Sequence, residues 1–160
     1  MHPTRLRSGE IVAGLGALAL LVSLFLRWFE GPEGGENGWG SLGWLALLPL
    51  VAAIAGGLAL AVATAAERTP ALPLAIGVLT VPWALLAVLA VLVRLVAQPG
   101  PDAFVDVRWP AYLGLAGAVA ILVGAWRAIG DERTGTAAAR AQTERALSVR
   151  GKPRRVPPPS

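Results

Sequence analysis

The chain has 160 residues, 55% of them hydrophobic and 15% charged, with a mean hydropathy of +0.61 and a formal net charge of +4. So few charges cannot cover a water-soluble domain, whose surface needs about 25–35% ionisable residues. With no cysteine and a single histidine, His2, there is no framework for disulfides, for thiolate or imidazole metal sites, or for Cys–His and Ser–His nucleophiles.

Residues 1–9 form a short tail carrying Arg5 and Arg7, followed by a charge-free run from Ile11 to Leu26. A signal peptide would have an apolar region of about 7–15 residues ending in a small-x-small site. This run ends in Phe25-Leu26-Arg27-Trp28-Phe29 and has no such site, so a retained first span over about 10–29 is expected. Glu10 falls in its first turn, where the helix dipole favours a carboxylate.

The stretch RWFEGPEGGENGWGSLGW follows, Arg27 to Trp44, with Trp28, Trp39 and Trp44 set among glycines and three acids, Glu30, Glu33 and Glu36. Indole is amphipathic and settles at headgroup level, so this reads as an interfacial loop. Its acids lack the Asp-rich spacing of a calcium loop, and no metal is expected there.

The second span covers about 42–66 and contains Pro49. A very short polar turn, Glu67-Arg68-Thr69-Pro70, then forces the second and third spans to lie side by side and antiparallel. The third span, about 71–97, has Pro82-Trp83 near its middle, where a kink is expected, and Arg94 near its end. Gln98-Pro99-Gly100-Pro101 stops it. A second outer loop carries Asp102, Asp106 and Arg108, and a fourth span runs from Pro110 to about 129. Residues 131–160 form a basic tail in which 137–147 could make one weak helix, and GKPRRVPPPS should stay disordered or extended.

Crossing about 30 Å of hydrocarbon takes roughly 20 helical residues. The expected fold is therefore all-α: a four-transmembrane-helix bundle over 10–130, up-down-up-down, with a largely disordered basic C-terminal tail. Arginines set the orientation. Both tails and Arg68 hold most of them, whereas Arg27, Arg94 and Arg108 are outnumbered on the opposite face by Glu30, Glu33, Glu36, Asp102 and Asp106. A multi-pass plasma-membrane protein with both termini cytoplasmic is expected. The Ala, Gly, Pro and Arg bias points, by association only, to a G+C-rich bacterium.

Away from their ends the four spans contain only Ser23, Thr64 and Thr80 as polar side chains. Coupled transporters use ionisable groups at mid-depth. Serine and threonine in such helices bond back to their own preceding turn. Arg94 could hold an anion or an outer acid, or else snorkel to the interface. Small residues recur at four-residue spacing, Ala53 with Gly57, Ala116 with Ala120 and Ala120 with Gly124. They mark close helix packing, within the bundle or between subunits. The basic tail lacks interleaved aromatics, so lipid rather than nucleic acid is its expected partner. No activated nucleophile accompanies a base, so no enzyme and no cofactor are expected.

The pieces LGALALLVSLFLRWFEG and LAGAVAILVGAWRAIGDER, with the glycine-tryptophan loop between, resemble a group of small four-span membrane proteins of actinobacteria. In that group the first span closes with an SLFLPWF-like run and the fourth exits through GxWxxxRDER. The resemblance covers roughly residues 10–133, with Arg27 standing where the group has proline. It implies topology and supplies no active site. Two functions follow as expectations: a binding or assembly component of a membrane complex, or a small oligomeric transporter or channel subunit. Small multidrug exporters are also four-helix proteins, but their carboxylate lies well inside the first helix, whereas Glu10 is at its edge.

Overall fold

The computed structural model describes residues 8–31, 34–65, 71–98 and 106–150, and the side chains of 8–31, 34–63, 75–98 and 106–130. Four of its helices are long and apolar enough to cross a membrane, over Ser8–Phe25, Trp44–Ala63, Ala75–Val96 and Trp109–Gly130. The elements are α1 (Ser8–Phe25), β1 (Arg27–Gly31), β2 (Gly34–Asn37), the single-turn α2 (Gly38–Ser41), α3 (Trp44–Ala65), α4 (Ala71–Val96), β3 (Asp106–Val107) and α5 (Trp109–Arg150). The expected turn at 67–70, the stop at 99–101 and the tails 1–7 and 151–160 lie outside the described residues.

Each long helix buries a stripe of small and medium side chains and turns large apolar ones outward. Leu15, Val62, Leu79 and Val93 are all more than 60% exposed. In water such a surface would be far too apolar for a monomer, whereas hydrocarbon solvates it without cost. Pro49 and Pro82 both lie inside unbroken helices.

The bundle is up-down-up-down. A Cβ added at Gly9 would meet Gly124 and Ala128, one at Gly16 would meet Gly117 and Ala120, and one at Gly114 would meet Ser23 and Trp28. Residue numbers rise along α1 as they fall along α5, so the two are antiparallel neighbours. Gly57 of α3 packs on Ala13 and Ala17, Gly56 on Thr80 of α4, and Gly77 of α4 on Ile129 of α5, which closes the ring of four.

Two boundaries differ from the sequence reading. The first helix stops at Phe25 rather than 29. The Leu26 amide donates to the Ser23 carbonyl at 3.0 Å, tightening the last turn, and Arg27–Gly31 then enters a sheet. Helix α5 continues beyond the fourth span to Arg150, further than the segment 137–147 where a helix was foreseen. Its alanines at 137–139, 141 and 146 have the highest helix propensity of any residue. The chain divides into two compact units, Met1–Ile129 and Gly130–Ser160.

The described parts of the two loops at one end of the bundle are not irregular. They form a three-stranded antiparallel sheet, order β2-β1-β3, in which Phe29 pairs with Val107 and Glu30 with Asp106. Gly34, at φ +124°, opens β2 in a backbone conformation that only glycine adopts freely.

Candidate interaction surface at the capped end

The sheet and α2 together cap one end of the bundle. Their anchor is Trp28. The strand register shifts between Arg27 and Phe29, and this irregularity lets two consecutive side chains, Trp28 and Phe29, both point inward where simple alternation would expose one. Trp28 is fully buried, its Nε1 donating to the Ser23 carbonyl at 2.7 Å. A Cβ at Gly114 would fall 2.6 Å from the indole and one at Gly38 would fall 2.9 Å from it, so glycines on α5 and α2 make the slot. From the sequence Trp28 belongs to an interfacial loop and is a candidate for contact on that face. It is a structural plug, because burial satisfies both its apolar ring and its single donor.

Around this plug the polar groups of the two loops meet. Glu30 sits directly across the sheet from Asp106, a like-charge pairing that costs stability, and Arg108 answers it with an ion pair to Glu30. Both partners are about half exposed, so the pair is worth at most about 1 kcal/mol. The Arg108 amide also donates to the Trp28 carbonyl at 2.8 Å, fastening the second loop to the first. Glu36 is exposed on β2, beside a polar recess of about 400 Å³ lined by Arg27, Asn37 and Gly40. Asn37 caps α2 through Oδ1, which accepts from the Gly40 amide at 2.8 Å. Glu33 and Asp102 lie outside the described residues.

Trp39 is half-buried, its ring edge-on to Phe25 at 5.6 Å. Arg94 lies in the last turn of α4. Its guanidinium is 5.7 Å from the centre of the Phe29 ring, and one terminal nitrogen donates to the Ala97 carbonyl at 3.1 Å. Both residues carry a buried nitrogen, Trp39 Nε1 and Arg94 Nε, with no hydrogen-bond partner among the described residues. Buried polar atoms of this kind are uncommon and call for a physical reason.

Lower in the bundle the polar side chains are quiet. Ser23 Oγ donates to the Leu20 carbonyl and Thr80 Oγ1 to the Ile76 carbonyl, each at 2.7 Å, so both bond back to their own helix. Glu10 is buried in the first turn of α1. Of the expected packing residues, Ala53, Gly57 and Gly124 are buried at helix contacts and Ala120 is half-buried beside Gly16. Ala116 is exposed, and its place in the seam is taken by Gly117, whose added Cβ would fall 2.7 Å from the Leu20 amide nitrogen. Four-residue spacing fits either face of a helix this rich in small residues. The backbone approach selects the glycines.

Among the described residues no group of three or more His, Cys, Asp or Glu side chains could hold a metal. The chain matches no model of a known protein family, no curated protein and no solved structure.

Proposed function

We propose that this is an integral protein of the bacterial plasma membrane, with both termini cytoplasmic and the sheet-capped end outside, and that it works by binding or assembly rather than by catalysis. It would be a member of the small four-span group of actinobacteria that its sequence resembles. The carrying observation is the contrast along the bundle axis. The described polar side chains at mid-depth, Ser23 and Thr80, are each committed to a carbonyl of their own helix. The polar groups collect in the cap, where Glu30 and Glu36 on the sheet, Arg108 just after β3 and Trp39 on α2 surround the Trp28 anchor. Fixed groups at a surface favour recognition, because little side-chain freedom remains to be lost on contact.

A photo-crosslinking residue placed at Trp39 or Glu36 in intact membranes tests this reading. A discrete adduct is expected, weakened by Glu30→Gln. Absence of any adduct from either position would remove the assembly function. Orientation is checked separately by a reporter fused after Ser160, expected to be active only in the cytoplasm.

The second reading, a small oligomeric transporter or channel subunit, is favoured by one observation, the buried carboxylate of Glu10. Flux in proteoliposomes that disappears in Glu10→Gln would establish it, and no flux from the unmodified protein would dismiss it.

A further inference from the structure

Between α3 and α4, opening sideways at the capped end, runs a groove of about 530 Å³. Its walls include Leu45, Leu48, Trp83, Leu86 and Leu89, and Arg94 stands at its head. We propose that this groove is a binding site for one anionic phospholipid of the leaflet on the capped side, the phosphate held by Arg94 and an acyl chain lying against α4 down to Trp83.

Three observations carry the assignment. The first is length. From Arg94 to Trp83 is 11 residues of helix, about 16 Å at 1.5 Å per residue, or roughly half of a 30 Å hydrocarbon core. The groove thus has the depth of a single leaflet. A free phosphate would leave its apolar length unused.

The second is charge. Arg94 makes no ion pair among the described residues, and its Nε is buried without a partner. The carbonyl end of α4 offers only about half a negative charge in compensation. A guanidinium keeps further N–H donors after one bond such as that to the Ala97 carbonyl, and a phosphate is the anion its planar fork matches.

The third is preorganisation. The Ala97 carbonyl and the Phe29 ring hold the guanidinium in place, so little side-chain freedom is lost when an anion arrives. A second copy of the chain packed into the same groove would cover this charge with apolar surface, an arrangement that leaves a buried cation unpaired. The inference rests on bilayer residence and is independent of what the cap binds.

The test uses the full chain reconstituted in phosphatidylcholine vesicles containing either phosphatidylglycerol or phosphatidylcholine brominated in the acyl chain. Bromine quenches nearby indoles, and the difference between the unmodified protein and Trp83→Phe isolates Trp83, which is 42% exposed. Brominated phosphatidylglycerol should quench Trp83 several-fold more than brominated phosphatidylcholine at equal mole fraction. Arg94→Gln should abolish the excess, Arg94→Lys should keep part of it, and Ala90→Phe, which fills the groove and leaves the charge, should also abolish it. Equal quenching by the two lipids, or an excess that survives both Arg94→Gln and Ala90→Phe, overturns the proposal. So does a Trp83 that neither lipid reaches, the result expected if protein covers the groove. A chain that does not enter the vesicles at all refutes bilayer residence instead.

Discussion

Helices α1 and α5 meet backbone to backbone, whereas α3 and α4 pack extensively, with Gly56 against the Thr80 side chain, and still leave a groove nearer the cap. Both pairs are antiparallel, both are rich in leucine, valine and alanine, and both sit in the same ring. What separates them is where the glycines fall. Gly9, Gly16, Gly117 and Gly124 lie on facing sides of α1 and α5, so that each helix axis approaches until carbonyls and amides of the other stand where a Cβ would be. On the groove side, Leu45, Leu48, Leu86 and Leu89 are each about half exposed or more and line an opening rather than a helix seam. Without a hydrophobic drive inside the bilayer, close packing is the main attraction between helices, so the seam supplies cohesion and the groove leaves surface for something else.

That division of labour predicts an ordered series of effects on stability, each read as unfolding of the purified protein in detergent by far-UV circular dichroism. Trp28→Ala should be the most damaging, at about 3–5 kcal/mol, because it empties the slot between Gly38 and Gly114 at the end of the seam. If Trp28→Ala unfolds no earlier than the unmodified chain, the cap is not anchored as described. Gly124→Ala comes next, at about 1–3 kcal/mol, since its Cβ would sit 2.5 Å from the Ala13 nitrogen and the Gly9 oxygen. Glu30→Gln should cost no more than about 1 kcal/mol, and the loss should shrink in high salt, as for any half-exposed ion pair. Smallest is Leu89→Ala on the groove wall, within about 0.5 kcal/mol, because that side chain is already 48% exposed. A Leu89→Ala effect as large as that of Gly124→Ala would erase the distinction between the two helix pairs.

The four spans were readable in the sequence because each is a long apolar run, and a helix is the only open segment whose backbone groups are all satisfied in hydrocarbon. The ends of α4 and the back-bonding of Ser23 and Thr80 follow from local rules, and these agree with the structure. The sheet was hidden for two reasons. Gly-Gly-Glu-Asn in β2 has almost no strand propensity, and β3 is two residues long and distant in sequence from its partner. Trp28 misled for a related reason. Its composition suits an interface, and only the irregularity in β1, which depends on pairing with β2, turns it inward. The seam was half legible. Small residues announced close packing, but Gly114, Ala116, Gly117, Ala118 and Ala120 offer several faces, and only the partner helix picks one. Arg94 was singled out by its charge, whereas the groove beneath it has no signature at all, being made of leucines like every other face.

The pairing of Phe29 with Val107 has a consequence for biogenesis. These residues are about 80 positions apart, so during synthesis β1 emerges long before β3 exists. Until the last span has been threaded, the Arg27–Asn37 hairpin must wait with one edge unpaired and the Trp28 slot short of its α5 wall. A chain that stalls after three crossings would therefore keep an open strand edge on β1 and an indole without its α5 wall, so the cap is completed only together with the last helix.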